Sequence, residues 1–392
     1  MIAVKEAIKR VQKNTFSINQ KVLKSVLKSC GFVLFEDIYS PINMPPFRQS
    51  AMDGYALCLN NDITYSVIDE VKAGNSHHPE LNAGEAVRIF TGAPVPETAN
   101  AVIMQEKVTI DGKKIILNKT VLFGENIRPL GEQIKKGEIA LKKGAKLTPA
   151  AIGYLTSLGI TDINVYKKPS IAIVVTGDEL SEAGKPLTFG NIYESNSGML
   201  LSALNSLGLA NVTTHKVEDN YTNTLTKLDK VINQNDMVLI TGGISVGDYD
   251  FVGKALKELE VREIFYKVKQ KPGKPLFFGK KKDTIVFALP GNPAAALSCF
   301  YIYVISALQK MAGDLNYSLT KITAKSNSEH IRKGERSQFL KAILKEGRVT
   351  ILEGQSSAML HTFALANALV YISENQNNIM INDEVEVICL SV

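Results

Sequence analysis

From Ser170 onward, short apolar runs alternate with longer segments whose apolar residues recur every three or four positions. The apolar runs are SIAIVV, NVTTHKV, MVLIT, VREIFYKV and TIVFAL. The longer segments, each predicted to be helical, span residues 196–207, 221–233 and 251–259 and resume after Pro293. Strands separated by helices of this length favour right-handed crossovers and a mostly parallel sheet. The pattern predicts a multidomain α/β protein whose central domain, residues 169–312, contains a doubly wound, mostly parallel sheet.

Residues 54–135 show a different pattern, in which short strand-like runs such as AVRIF, AVIMQ and KKIIL are separated by Gly, Pro and Asn. This pattern predicts a small β domain. Helical spacing flanks it at residues 4–13, 20–29 and 149–158. We therefore expect the β domain to be inserted into a helical domain built from residues 1–53 and 136–168.

Strand-like runs return after Asp314, with TKITAK, SQFLKAIL, RVTILEG, LVYIS and DEVEVICL. They predict a C-terminal β-barrel domain at residues 313–392. The longest apolar stretch, residues 294–308, contains Ser298 and Ser306. It is shorter than the roughly 18 residues that a membrane span needs, so it predicts a buried core helix.

Composition narrows the range of partners. The net charge of +6 comes from lysines spread along the chain without a basic block, which favours anionic small molecules over nucleic acid. Cys30, Cys58, Cys299 and Cys389 lie far apart with no CxxC spacing, so neither a disulfide framework nor a zinc site is indicated. The N-terminus mixes charged and apolar residues at helical spacing, unlike a secretory signal, and we expect a cytoplasmic protein without a membrane partner.

Three predicted strands end in loops that carry polar chemistry. The loops contain Thr176-Gly177-Asp178-Glu179, TGGISVGDYD at residues 241–250, and Leu289-Pro290-Gly291-Asn292-Pro293. Ligands of α/β sheets collect where the carboxyl ends of the strands open into loops, so we expect the three loops to face one crevice. Pro293 suits the first turn of the following helix, whose free N–H groups would offer an anion site.

The loop at residues 241–250 indicates metal-assisted phosphate chemistry. Gly242 and Gly243, like Gly247, would let backbone N–H groups approach an anion. Asp248 and Asp250 are oxygen ligands of the kind that share Mg²⁺ with substrate phosphates. A plain strand-to-helix turn is the alternative interpretation of these glycines.

KVKQKPGKP places Lys269, Lys271 and Lys274 around a proline-glycine turn just after a predicted strand. Lysines on a surface turn are usually only solvated. A turn that fixes cations beside the crevice would instead neutralise a polyanionic substrate and the charge that develops on it.

Two strings in the β domain are ambiguous by themselves. QSAMDGYAL contains Asp53 before a glycine, which most often marks an ordinary turn. RIFTGAPVP holds Thr91 before prolines that stiffen the loop, so the string indicates either a rigid loop or an anion contact.

Several common chemistries have no matching motif in the sequence. The five histidines show no metal-ligand spacing, and there is no GxxxxGK[ST] loop and no GxGxxG fingerprint. What remains is acids, lysines and glycine loops suited to a phosphate-bearing substrate.

The order of PPFRQSAMDGYAL, RIFTGAPVP, NIRPLGEQI, VVTGDEL, YESN, TGGISVGDYD, KPGKP, ALPGNP and GQSSAML closely resembles the molybdopterin molybdenumtransferases, the MoeA and gephyrin E-domain family. The resemblance covers nearly the whole chain. It implies a homodimer whose central sheet domain is of the molybdopterin-binding type and which acts in molybdenum cofactor biosynthesis. The implied reaction is Mg²⁺-dependent: molybdate is inserted into adenylylated molybdopterin and AMP is released. Molybdate and tungstate share charge and shape, so the resemblance leaves both metals open.

The resemblance also implies roles for individual residues. Catalytic roles fall on Asp53, Asp248, Asp250, Lys271 and Lys274, of which Asp248 and Asp250 would hold Mg²⁺. Substrate-binding roles fall on Thr91, Glu194, Ser195, Asn196, Gly242, Gly243, Ser245, Lys269, Pro290, Gly291, Asn292, Arg336, Ser356 and Ser357. Asp53 and Thr91 would face the crevice of the partner subunit.

This chain departs from the family pattern at two positions. Gln133 stands where the family usually has an aspartate, so the role of that acid is either dispensable or moved to Glu132. Lys341 stands where arginine is common.

Two other functions fit parts of the pattern. One is a gephyrin-like scaffold without turnover, which would hold peptide partners or other proteins of cofactor biosynthesis. The other is the molybdopterin adenylyltransferase that acts one step earlier, whose fold resembles the α/β domain alone. The acids and lysines favour catalysis over a scaffold, and the flanking β domains argue against the adenylyltransferase.

Overall fold

The computed structural model describes residues 1–74, 76–244, 251–376 and 378–390. Its internal contacts divide the chain into two compact units. The large unit comprises Met1–Val22, Gly31–Phe35 and Val165–Val392, and the small unit comprises Leu23–Cys30 and Glu36–Asn164.

The described residues form helices and strands along the whole chain. The helices are α1 (Val4–Asn14), α2 (Pro149–Ser157), α3 (Asn196–Ser206), α4 (Tyr221–Gln234), α5 (Phe251–Glu258), α6 (Pro293–Cys299), α7 (Ile305–Met311) and α8 (Leu360–Leu365), with a π-helical segment at Phe300–Val304 and 3₁₀ turns at Val26–Lys28 and Gln105–Lys107. The first strands are β1 (Lys21–Ser25), β2 (Ile38–Tyr39), β3 (Gln49–Ser50), β4 (Gly54–Leu57), β5 (Thr64–Val71), β6 (Glu85–Ile89), β7 (Ala101–Met104), β8 (Val108–Asp111), β9 (Lys114–Leu117), β10 (Ile127–Arg128), β11 (Ile139–Leu141) and β12 (Asp162–Tyr166). The later strands are β13 (Ile171–Thr176), β14 (Leu180–Ser181), β15 (Ile192–Tyr193), β16 (Val212–Val217), β17 (Met237–Thr241), β18 (Arg262–Tyr266), β19 (Gln270–Lys271), β20 (Phe277–Lys281), β21 (Thr284–Leu289), β22 (Lys321–Ser326), β23 (Ser337–Lys345), β24 (Arg348–Ile351), β25 (Ala368–Ile372) and β26 (Glu384–Cys389).

The large unit is built on a six-stranded sheet in the order β16-β13-β17-β21-β20-β18. Strands β16, β13, β17 and β21 are parallel to their neighbours in this group. Along β13, Ile171, Ile173 and Val175 pack into one apolar core, whereas Ala172 and Val174 pack into another on the opposite face. A strand covered on both faces needs a continuous apolar run, which is why SIAIVV lacks polar alternation. The predicted doubly wound, mostly parallel sheet is confirmed.

One strand of this sheet was not predicted from the sequence. Strand β20 pairs antiparallel with both β21 and β18 and separates them. Its sequence, FFGKK, follows Pro275 and contains a glycine and two lysines, so its pattern is typical of a loop. Pairing with β21 on one side and β18 on the other overrides this local preference.

The apolar stretch near residue 300 lies within one helical run. Helix α6, the π-helical segment and α7 continue without a break from Pro293 to Met311, a length of 19 residues. By length and composition alone this run could cross a membrane, because the helix extends beyond the predicted stretch, residues 294–308, at both ends. However, 78% of its most apolar window is buried inside the protein, which confirms the predicted core helix.

A closed five-stranded barrel lies near the C-terminus. Strands β23, β24, β22, β26 and β25 follow one another, and pairing of β25 with β23 closes the ring. The two-residue strand β19 adds to its edge, parallel to β23. The predicted C-terminal β-barrel is confirmed.

The small unit contains a six-stranded sheet in the order β7-β4-β6-β5-β9-β8, and α2 forms where helical spacing predicts it. The helix predicted at residues 20–29 was wrong, because this segment forms β1 and a 3₁₀ turn. Short helices depend on burying an apolar face, but Val22, Leu23 and Leu27 are exposed here.

Helix α1 packs in the large unit through Val4, Ala7 and Val11. The four-part division of the chain stays a prediction.

We predict that Gly54→Ala destabilises the small unit by about 2–4 kcal/mol, because a Cβ on β4 would overlap the Ile103 carbonyl oxygen of the neighbouring strand. The matched control is Gly153→Ala in the same unit. Gly153 lies in α2 with open space around it, so alanine should stabilise the unit by about 0.5–1 kcal/mol. Urea unfolding of both variants measures the difference, and equal free energies of unfolding would contradict this packing.

Candidate functional site

A cavity of about 570 Å³ opens in the large unit where the parallel strands end. The loops after β13, β17 and β21 all contribute to it, as the strand order predicts, and the barrel supplies a further wall. Of the residues singled out from the sequence, those that line the cavity are Glu194, Ser195, Asn196, Gly242, Lys271, Lys274, Pro290, Gly291, Asn292, Arg336 and Ser357. The structure therefore brings together most of the proposed site residues of the large unit.

The remaining predicted residues lie elsewhere. Lys269 does not line the cavity, and its ammonium lies 3.5 Å from a carboxylate oxygen of Glu374. Gly243 and Ser356 are also absent from the lining. Ser245, Asp248 and Asp250 lie outside the described residues, and Asp53 and Thr91 belong to the small unit.

Close packing explains in part why glycines follow β17. Gly242 has a φ of +87°, and a Cβ there would overlap the carbonyl oxygen of Thr176. Gly243 has a φ of +57°, and a Cβ there would lie 2.8 Å from a methyl carbon of Val252. L-residues rarely adopt such a backbone conformation, so both positions require glycine whether or not an anion binds.

Two buried oxygen atoms in the cavity wall lack hydrogen-bond partners among the described residues: the hydroxyl of Thr176 and Oδ1 of Asn196. The amide of Asn196 is fixed, because Nδ2 donates to the carbonyl of Gly291 at 2.8 Å and to the hydroxyl of Thr241 at 3.4 Å. Buried polar atoms are nearly always paired, so these two oxygens are exceptions among the described residues. Thr176 was noted in the sequence only as part of a loop, and its position as the last residue of a buried strand was the available signal.

The turn that carries the lysines is held by one buried amide, which the sequence pattern did not identify. Gln270 Nε2 donates to the carbonyls of Pro272 at 3.1 Å and Gly273 at 3.2 Å, and the hydroxyl of Tyr303 donates to Gln270 Oε1. The backbone carbonyl of Gln270 accepts a 3.4 Å hydrogen bond from Arg336. The buried side chain of Gln270 thus fixes the turn against the helical run Pro293–Met311.

The cations of this wall are accessible. The side chains of Lys271 and Lys274 are exposed, and neither forms an ion pair with any residue that the structure describes. With Arg336 they form a positive wall of the cavity. Because no acid of the described residues forms an ion pair with the two lysines, they can bind an anion without first breaking such a contact.

Acidic groups gather next to the cavity, at the ends of β13 and β16. The backbone N–H of Asp219 donates to a carboxylate oxygen of Asp178 at 2.9 Å. Partial burial and the nearby charges of Asp178 and Glu179 raise the pKa of Asp219 above its usual range. In the described parts of the chain, no three acid, histidine or cysteine side chains are arranged to hold a metal ion.

Asp53 and Thr91 lie together on the surface of the small unit. One carboxylate oxygen of Asp53 accepts hydrogen bonds from the backbone N–H of Thr91 at 2.7 Å and from its hydroxyl at 2.8 Å. These two bonds lower the pKa of Asp53, so the exposed carboxylate is ionised at neutral pH. Gln133 is exposed in the same unit.

Family models match almost all of the chain. A model described as MoeA N-terminal region (domain I and II) matches residues 2–159. A model described as a probable molybdopterin binding domain matches residues 172–310, and one described as MoeA C-terminal region (domain IV) matches residues 323–390.

Individual proteins resemble the chain over its full length. A molybdopterin molybdenumtransferase of Haemophilus influenzae is 35% identical over 363 residues, covering 90% of this chain and 89% of that protein. One from Staphylococcus epidermidis is 31% identical, covering 99% of this chain and 95% of that protein. The crystal structure of a molybdopterin biosynthesis moeA protein from Pyrococcus horikoshii OT3 superposes with a TM-score of 0.86 at 31% identity, covering 99% of this chain and 100% of that one.

We predict that Asp219→Asn stabilises the large unit at pH 7, because the substitution removes a charge whose partial burial and repulsion by Asp178 and Glu179 raise the pKa of Asp219. A raised pKa in the folded state costs stability only above the pKa of the unfolded chain, about 3.9. The melting temperature should therefore rise by about 1–3 °C at pH 7, and the gain should shrink as the pH is lowered toward about 4.

Thermal melts across this pH range measure the effect. Glu263→Gln is the control, since Glu263 is exposed on β18 and pairs with no described cation. A stabilisation that is equal at pH 7 and at pH 4 would contradict the raised pKa of Asp219.

Proposed function

Because this chain belongs to the MoeA family of molybdopterin molybdenumtransferases, we propose that the cavity of its large unit binds adenylylated molybdopterin and molybdate. The family acts in molybdenum cofactor biosynthesis, and the activity is transfer of molybdenum to molybdopterin. The observation that carries the assignment of the cavity is its wall of cations, Lys271, Lys274 and Arg336, of which the two lysines are exposed.

The charge of the cavity suits two anions. Molybdate carries two negative charges, and the pyrophosphate of the adenylylated substrate carries more. Lys271 and Lys274 lie on a turn that Gln270 holds in place, so little reorganisation is needed when an anion binds. Cations that are fixed before binding stabilise developing charge more effectively than mobile ones.

The polar floor suits the pterin. Asn196 Oδ1 can only accept a hydrogen bond, and the Thr176 hydroxyl can donate or accept one. A pterin ring presents both N–H donors and acceptors along one edge. Pairing with that edge would satisfy both oxygens once the cavity wall adjusts, since both are buried.

Asp248 and Asp250 would hold Mg²⁺. They lie outside the described residues, and in the sequence they follow Gly242, which lines the cavity. Their carboxylates are the hard oxygen ligands that Mg²⁺ shares with phosphates. A bound ion would neutralise part of the pyrophosphate charge while Lys271 and Lys274 hold the oxyanion. In the proposed reaction, water cleaves the pyrophosphate and AMP leaves. The two dithiolene sulfurs bond to molybdenum, and one oxygen of molybdate leaves with the two thiol protons as water.

We also propose a cytoplasmic homodimer in which Asp53 and Thr91 of one subunit complete the crevice of the other. The carboxylate of Asp53 is ionised, exposed and hydrogen-bonded to Thr91. It can therefore contact a second chain. The Ser356–Ser357 loop and Arg336 would contribute to the anion site from the barrel.

The two alternative functions are not favoured. Family models match the regions on both sides of residues 172–310, which an adenylyltransferase resembling the α/β domain alone would lack. Relatives that match at least 90% of the chain are named molybdopterin molybdenumtransferase, which favours turnover over a scaffold role.

We predict that Lys271→Ala and Lys274→Ala each reduce kcat/KM for molybdate by on the order of 10², because each removes one fixed cation of the oxyanion site. AMP release from adenylylated molybdopterin, measured with and without Mg²⁺, provides the assay. Lys325→Ala, at an exposed lysine of β22, is the control and should be indistinguishable from the wild-type protein. Unchanged kinetics in both variants would refute the proposed anion site.

We predict that inactive Asp53→Ala and Lys271→Ala proteins restore activity when their subunits are exchanged. A mixed dimer has one crevice that carries both substitutions and one that carries neither, so about a quarter of wild-type activity should return at equal mixing. If Asp53 serves the crevice of its own chain, every crevice keeps one defect and no activity returns. Each variant mixed with itself controls for the exchange procedure.

A further inference from the structure

Lys341 is a buried cation with an unusual set of partners. It lies on β23, and only 4% of its surface is exposed. Its ammonium donates to three backbone carbonyls: Gly354 at 2.8 Å, Ser356 at 3.2 Å and Met359 at 3.0 Å. These bonds use all three donors of the ammonium. No described carboxylate pairs with it, and burial lowers its pKa.

All three carbonyls belong to one loop, residues 354–359, which we call the serine loop. A second residue of this loop binds the backbone of Lys341 as well. Gln355 Oε1 accepts from the Lys341 N–H at 2.9 Å, and Gln355 Nε2 donates to the Lys341 carbonyl at 2.9 Å. The serine loop is therefore fastened to one residue of the barrel by five hydrogen bonds.

The serine loop forms part of the cavity wall. Gln355 and Ser357 both line the cavity. The hydroxyl of Ser357 accepts a 3.0 Å hydrogen bond from Asn292, and its carbonyl accepts one of 3.2 Å from the N–H of Ala294 at the start of α6. Contacts thus run without interruption from Lys341 through Ser357 to the loop that contains Pro290, Gly291 and Asn292.

Charge explains why a lysine suits this position. A carbonyl oxygen that faced the cavity would repel an oxyanion, whereas a buried ammonium draws the negative ends of three carbonyl dipoles toward itself. Burial of an ammonium is costly unless its donors are satisfied, and here the carbonyls satisfy them. The positive charge also lies just behind a wall that contains Ser357.

We propose that Lys341 is a positioning residue for the oxyanion of the reaction, acting through the serine loop. It holds the carbonyls of Gly354, Ser356 and Met359 away from the anion. It also keeps Ser357 in the cavity wall that contains Lys271, Lys274 and Arg336. This inference rests on the proposed function of the cavity, because it takes molybdate as the tetrahedral oxyanion that the wall receives.

The test compares Lys341→Met, which keeps the length and loses the charge, with Lys341→Arg, which keeps the charge. With saturating adenylylated molybdopterin, KM for molybdate should rise on the order of tenfold in Lys341→Met, with a smaller change in kcat. Lys341→Arg should restore KM to within about threefold of the wild-type value. A general loss of structure would instead lower kcat and the melting temperature together without a selective change in KM.

Ser357→Ala provides a second variant that keeps the backbone of the loop. It should raise KM for molybdate in the same direction, and adding it to Lys341→Met should give less than the product of the two effects. An unchanged KM for molybdate in Ser357→Ala would overturn the inference, even if Lys341→Met fails to fold. If Lys341→Met folds, an unchanged KM in that variant would also overturn it. Absence of molybdate-dependent turnover in the wild-type protein would instead refute the proposed function.

Discussion

Burial of the Gln270 amide fixes the turn that carries the lysines of the cavity wall. A buried amide must find partners for its polar atoms, and the partners here are the carbonyls of Pro272 and Gly273 and the hydroxyl of Tyr303. The same contacts join the lysine turn to the helical run Pro293–Met311, which forms the core beneath the sheet. The backbone that carries Lys271 and Lys274 is therefore held in place, while their side chains are exposed.

Buried polar groups shape the other walls of the cavity in a similar way. Lys341 gathers the serine loop on the barrel side, and Asn196 joins α3 to the loop after β21 through the carbonyl of Gly291. Each of these groups connects two elements that are distant in the chain. The cavity is thus built by a few interior hydrogen bonds, while its exposed residues remain available to the ligand.

The sequence was sufficient to predict the parallel core and the convergence of its loops. Strands β13, β17 and β21 are buried on both faces, so their apolar runs are long enough to identify, and their loops necessarily meet at one edge of the sheet. Strand β20 was missed because its glycine and lysines are typical of a loop. Gln270 and Lys341 were not identified as organising residues, since their partners, among them Tyr303 and the serine loop, are determined by tertiary packing that no local pattern encodes.

We propose that one oxyanion binds against the cationic wall of the large unit. Anomalous diffraction at the molybdenum edge, from crystals of the full chain soaked with molybdate and AMP, tests this binding site. We expect an anomalous peak within hydrogen-bonding distance of Lys271 or Lys274 and near Arg336 and Ser357. A peak at any other place, or none in the cavity while AMP density is present, would contradict it.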